Sequence, residues 1–231
     1  MAAITGTQDF SVAAGSEPDL VKGEYVSENY FDLLGVGASM GRVFVEEDGK
    51  TQTPVVILSE HLWRSRFASD AKIVGRQISI NGFGFTVVGV MPKNFTGTEV
   101  GLNRELWLPL SMYGVLNPPA AARVADPGSN RFENRDSHWL AVFALLKPDI
   151  SRDSAGSELT EVARRVAENY GGKVDAETLR SVQLLRMSGG MDPRDQEEVM
   201  PVAGIAMGVV ALVLLIACAN IASLLLARAA I

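Results

Sequence analysis

Residues 199–227 read VMPVAGIAMGVVALVLLIACANIASLLLA and carry no charged side chain. A bilayer core needs roughly 20 helical residues to cross it, and a helix buried in a soluble protein rarely stays apolar on every face for so long. This stretch therefore predicts a transmembrane helix over 199–228, with Pro201 in the first turn, where its missing N–H costs little. The rest of the chain has the opposite character. All 27 acidic residues and 20 of the 21 basic ones precede Val199, and Arg228 alone is charged after it. Asp192, Asp195, Glu197 and Glu198 lie before the span, so the positive-inside rule places the Arg228 end in the cytoplasm and residues 1–198 outside it. Residues 1–23 contain no apolar run of signal-peptide length. The chain is accordingly expected to be a fragment of a larger reading frame. An acidic globular part argues against nucleic-acid binding, which calls for a basic face. The lone Cys218 has no cysteine to pair with in the chain.

The first 198 residues read as mixed helix and strand. Ser27 is placed to cap a short helix over 28–34 that Gly35 stops. The run PVVIL (54–58) has strand character, and Ser59 follows as the cap of a helix carrying Leu62, Trp63 and Phe67 on one face. Residues 76–90 (RQISINGFGFTVVGV) contain two alternating runs joined by Asn81-Gly82, a pair suited to the positive φ angles of a type I′ hairpin. A short strand is expected over 105–110. Residues 114–137 are rich in Pro, Ala and Asn and read as a mobile connection. Beyond it, 138–146 is strand-like. Leu159, Val162, Ala163, Val166 and Tyr170 then form a helical stripe, and 182–187 reads as a further strand.

Several motifs invite a chemical role, and most are better explained without one. Gly49-Lys50-Thr51 echoes the end of a P-loop, but the required glycine five positions earlier is Phe44, and Glu46, Glu47 and Asp48 would repel phosphate. His61 and His138 have no second ligand at metal spacing. The acidic triplet lacks the alternating oxygens of a calcium loop. Trp63, Phe67, Phe83 and Phe85 read as core. No catalytic residue, cofactor or metal ligand emerges, so the chain is not expected to be an enzyme. Three residues of the apolar run do suggest helix packing. Gly204 and Gly208 form a G-x-x-x-G pair that admits a neighbouring helix, and Asn220 would need a polar partner at membrane depth.

VSENYFDLLGVGASMGRVFVEED (26–48), VVILSEHLWRSRF (55–67), VGRQISINGFGFTVVGVMPKNFTG (74–97) and LWLPLSMY (106–113) together resemble the MacB-like periplasmic core domain of ABC transporter permeases. LVLLIACANIASLLLARA (212–229) resembles the start of the FtsX-type permease helices, especially those of duplicated orphan permeases with a separate ATPase. The resemblance implies an α+β fold, with a two-part extracytoplasmic domain, a porter-like part carrying an inserted small α/β part, followed by one transmembrane helix. Its divisions would be 1–49 for the N-terminal part of the core domain, 50–113 for the insert, 114–137 for the connection, 138–198 for the second half of the porter-like part, and 199–228 for the helix. The implied role is that of a permease subunit in the cell inner membrane, with 1–198 periplasmic, passing ATP-driven helix movement to a substrate or partner. Its partners would be a separate ABC ATPase, other permease helices or a second permease half, and membrane lipid. The alternative is a membrane-anchored binding or scaffold module without transport activity.

Overall fold

Alternation of inward and outward side chains builds the first 26 residues into three strands, β1 (Ala2–Thr5), β2 (Gln8–Ala13) and β3 (Pro18–Val26). The computed structural model describes residues 1–13, 18–99, 101–117, 139–169, 184, 204–205, 207–219 and 221–222. They fall in two units, Met1–Ala155 and Gly156–Ile231. In the first unit β3 leads to a short helix, α1 (Tyr30–Leu34), which ends at Gly35 in the left-handed conformation. The expected cap role of Ser27 is corrected here. Asn29 occupies the cap position without a side-chain capping bond, whereas the Ser27 hydroxyl accepts from the Ala3 N–H and donates to Asn29 Oδ1. Ser27 serves the helix through its backbone carbonyl, which accepts from the Tyr30 N–H at 3.0 Å. Its side chain is better used holding β1.

Next come β4 (Met40–Gly41), α2 (Glu46–Lys50), β5 (Val55–Leu58) and α3 (Glu60–Phe67). Ser59 caps α3 as its sequence position implies, its hydroxyl accepting from the Leu62 N–H at 3.0 Å. Strands β6 (Gln77–Ile80) and β7 (Phe83–Val90) form the expected hairpin. Asn81 and Gly82 sit at φ 50° and 85°, the positive values a two-residue turn of this kind demands. A final strand of this region, β8 (Leu106–Pro109), runs into a 3-10 turn and α4 (Tyr113–Leu116). The opening residues of the expected connection are thus helical, and 118–138 lies outside the described residues. Of 138–146, Leu140–Phe143 forms β9.

The pairings join all nine strands seen among the described residues into one sheet. Strand β2 pairs antiparallel with both β3 and β6. From β3 the ladder passes parallel to β8, antiparallel to β5, parallel to β7 and antiparallel to β6. Six strands therefore close into a ring. Strand β4 pairs with β7, while β1 pairs with β3 and carries β9 on its other edge. Strands from both sides of residue 50 share these ladders.

Strand period sorts the apolar residues into two cores. Val56 and Leu58 of β5, Leu106 and Leu108 of β8, and Phe85 and Val87 of β7 pack with Phe10, Val12, Val21 and Tyr25 in one cluster. The alternate residues Val55, Ile57, Trp107 and Val88 pack with Tyr30, Phe31 and Phe44 of the covering segments in the other. Strand β5 is buried at all four positions for this reason. An unbroken apolar run is the signature of a strand covered on both faces. Gly23 makes the β3–β8 contact possible, since a Cβ there would stand 2.5 Å from Leu106 Cδ1. One core expectation needs correction. Phe67 and Phe85 are buried and Trp63 packs against the cluster, but Phe83 is 46% exposed. It is the first residue after the turn, three residues before β7 begins to pair with β5 at Thr86.

Helix α5 (Arg152–Asn169) spans the division between the units. Arg164 and Arg165 pair with Glu161 one turn earlier, and Arg164 also meets Glu168. Val162 and Val166 are about half exposed. The expected strand at 182–187 lies outside the described residues apart from Leu184. Residues 207–219 are helical, and apolar side chains from Ile205 to Ile221 are exposed all along it. Among the described residues no helix is long and apolar enough to cross a membrane.

Candidate functional site

The first unit buries a charged cluster that the sequence reading did not single out. Parallel pairing of β3 with β8 sets Glu24 opposite Trp107, and Arg104 lies just before β8. Both Glu24 and Arg104 have fully buried side chains. Glu24 Oε2 accepts from Arg104 Nε at 3.1 Å, while Oε1 accepts from Trp107 Nε1 at 2.9 Å and from the Tyr30 hydroxyl of α1 at 3.3 Å. Arg104 spends its remaining nitrogens on Glu99 and on the Leu102 carbonyl at 3.1 Å. A buried charge is tolerable only when paired and hydrogen-bonded in this way.

Arg104 is also the post round which a strap of residues 91–99 folds. Its N–H donates to the Thr96 carbonyl at 3.1 Å. Gly97, at φ 105°, lies so close that a Cβ would stand 2.9 Å from Arg104 Cδ. Phe95 completes the strap by packing on Trp107, with ring centroids 5.3 Å apart, and on Phe31. Burial pushes the Glu24 carboxyl above its ordinary value, against the opposing pull of Arg104 and the Trp107 hydrogen bond. Burial likewise raises the Tyr30 phenol, so its hydroxyl stays neutral. Chemically, the arrangement is a clasp that ties β3, α1 and β8 to the strap.

The residues expected to pack helices fall elsewhere. Gly204 and Gly208 are both helical, and a Cβ built on either meets nothing within 4 Å. Asn220 lies outside the described residues.

The motifs set aside on sequence grounds take structural roles. Gly49 lies in α2, packed so closely on Glu28 that a Cβ would stand 2.2 Å from its carboxylate oxygen. Asp48 is buried and held by both terminal nitrogens of Arg42, at 2.6 and 2.9 Å, and it accepts from the Val45 N–H at the start of α2. Hydrogen bonds from Arg42 and Val45 outweigh the opposing effect of burial and hold its carboxyl below the usual carboxylate range. His61 is well exposed, 3.8 Å from Glu105, and His138 lies outside the described residues. Among the described residues no group of His, Cys, Asp and Glu is placed to hold a metal. A shallow groove of about 480 Å³ opens between Thr5, Thr7 and Gln8 on one side and Trp139 and Leu140 on the other.

Comparison with known proteins bears on the whole of this unit. Residues 1–162 match the family model described as MacB-like periplasmic core domain. The chain is 29% identical over 84 residues to the probable export ATP-binding/permease protein MacB of Pseudomonas entomophila, covering 36% of this chain and 13% of that protein. It is 35% identical over 87 residues to the macrolide export ATP-binding/permease protein MacB of Neisseria gonorrhoeae, again covering 36% of this chain and 13% of the relative. These matches thus span 13% of the length of the curated relatives. A solved domain described as part of a permease protein from Porphyromonas gingivalis shares the fold. Its TM-score is 0.50 at 16% identity, over 84% of this chain and 78% of that one.

Proposed function

The chain belongs to the MacB-like periplasmic core domain family, and from that membership we propose that it works in the permease of a MacB-like ABC transporter. In this reading the domain lies on the periplasmic side of the cell inner membrane. It passes movement of the membrane helices, driven by a separate ABC ATPase, to a substrate or partner. The family match over residues 1–162 carries the proposal. The relatives' names join ATP binding with a permease, which supports an ATPase partner in general terms.

The uncharged run at 199–227 is proposed to be the spanning helix that receives the movement. Other permease helices or a second permease half would pack on it at Gly204, Gly208 and Asn220, with lipid on its remaining surface. The two-part division of the periplasmic domain, with 50–113 as the inserted part, belongs to the same proposal.

The test is made on the permease assembled with its ATPase. Asn220→Leu should weaken complex recovery and ATPase stimulation, with a loss of about 0.6–2 kcal/mol per interhelix hydrogen bond, and should leave insertion intact. Leu214→Ile serves as the control. Equal behaviour of the two variants would remove the packing role of Asn220. Topology is tested separately with a cysteine at Asp126, which an impermeant thiol reagent should label in intact cells with a permeable outer membrane. Labelling only after lysis would overturn the periplasmic placement.

A further inference from the structure

Strand β1 is held to its two neighbours by different chemistry. Towards β9 it makes an ordinary antiparallel ladder of four successive pairs, from Ala2 with Phe143 to Thr5 with Leu140. Towards β3 the ladder registers at Ile4 and Val26, and side-chain hydroxyls stand in for backbone carbonyls on either side. The Ala3 N–H donates to Ser27 Oγ at 3.0 Å, while the Ser27 carbonyl serves Tyr30. The Tyr25 N–H donates to Thr5 Oγ1 at 3.1 Å. In return the Ser27 N–H donates to the Ala3 carbonyl at 2.8 Å, and Asn29 Nδ2 reaches the Met1 carbonyl at 2.7 Å.

Thr5 has a second task. Its hydroxyl donates to the Gly6 carbonyl at 2.9 Å, and Gly6 with Thr7 is the whole link from β1 to β2. A Cβ built on Gly6 meets nothing within 4 Å, so the link has room to turn, and short loop positions of this kind absorb hinge motion. One hydroxyl therefore fixes both the hinge and an end of the β1–β3 ladder. Apolar contacts of the strand pair with the rest of the unit are few. Ala2 and Ile4 are buried in the second cluster, Phe143 packs on Tyr30 with ring centroids 6.0 Å apart, and Trp139 packs on Tyr113 at 4.4 Å. Leu140 and Val142 are exposed.

We propose that β1 and β9 form a two-stranded ribbon that swings from β3 as one body about Gly6, with the Thr5 and Ser27 hydroxyls as its catch, while the ring stays closed. Opening below the level of global unfolding draws on the segments with the least buried apolar surface. The chain runs on from β9 to α5, so in the permease reading the ribbon is where helix movement enters the ring. That use rests on the permease reading, whereas the swing itself does not and is measured without transport.

The test is residue-resolved amide hydrogen exchange on the full chain in detergent micelles, read at Ser27, at the far end of the short ladder from Thr5. Thr5→Val keeps the side-chain shape and removes the hydroxyl. It frees the Tyr25 N–H directly, but it should also quicken Ser27, by about fivefold for one lost hydrogen bond, and leave β6 and β7 unchanged. Two disulfides in a Cys218→Ser background separate the bodies. Ala3 turns both backbone groups towards β3, so its pair with Val142 is a close, non-hydrogen-bonded one, and by alternation so is the pair of Ile4 with Val26. The bridge Ile4→Cys/Val26→Cys should slow Ser27 to the level of the β5 amides. The bridge Ala3→Cys/Val142→Cys should leave Ser27 at the wild-type rate, and it keeps the test decisive if the buried pair does not fold. Ser27 unmoved by Thr5→Val, ring strands that quicken with it, or a slowing of Ser27 by the Ala3–Val142 bridge would overturn the proposal.

Discussion

Asn81 does two jobs at the tip of the β6–β7 hairpin, and substitutions there separate them. It takes the left-handed conformation of the turn, at φ 50°. It also closes the ring against β2, its N–H donating to the Ser11 carbonyl and its Oδ1 accepting from the Ser11 N–H, each at 2.8 Å. Asn81→Gly keeps the conformation and loses the side-chain acceptor, for a cost of about 1 kcal/mol. Asn81→Ala loses the acceptor and adds a left-handed penalty of about 1–2 kcal/mol, so it should cost about 2–3 kcal/mol. Asn81→Asp keeps both the acceptor and the local backbone bonding that makes left-handed Asn and Asp tolerable, and should stay within about 0.5 kcal/mol of wild type. Urea unfolding followed by tryptophan emission gives the ranking, read from midpoints at constant slope. If Asn81→Gly is as damaging as Asn81→Ala, the φ argument fails. If all three variants match the wild type, the tip does not hold the ring closed.

Three further expectations follow from the buried contacts. Arg104→Met should destabilise by about 3 kcal/mol, because it strands the Glu24 carboxyl without its countercharge, and adding Glu24→Gln should recover much of the loss; a double variant no better than the single would show that packing dominates, as read by thermal melts. Asp48, held low by Arg42 and Val45, contributes stability that is present above its unfolded value and lost as pH falls through its folded one; acid titration should show a loss of stability that is absent in Asp48→Asn, and identical acid profiles would refute the capping role. Gly23→Ala, whose Cβ would meet Leu106 at 2.5 Å, should cost about 1–3 kcal/mol by overpacking; an unchanged urea midpoint would show that β3 and β8 separate freely.

Local signals were legible in the sequence because their causes lie within a few residues. Asn81-Gly82 specifies its own turn, Ser59 caps the helix that begins beside it, and PVVIL announces a strand buried on both faces. The uncharged run after Val199 needs nothing but its length and hydropathy to predict a membrane helix. Other features had weak signals. Phe10 and Val12 alternate in β2, as do Val21, Gly23 and Tyr25 in β3, but charged and small residues between them hide the period. These strands are recognisable only once β6 and β8 supply their hydrogen-bond partners.

The clasp was beyond reach for a stronger reason. Glu24 and Arg104 are 80 residues apart, and Glu24 and Trp107 are 83 apart. Each reads alone as an ordinary surface charge or core aromatic. The resemblance and the local patterns determined the family, the hairpin, the capped helix and the candidate membrane segment. Tertiary structure alone decided that β2 closes the ring onto β6, and that a glutamate and an arginine are buried together beneath the strap. Turn chemistry and hydropathy act between neighbours in the chain, whereas ring closure and the pairing of buried charges depend on segments that meet only after the intervening chain has folded.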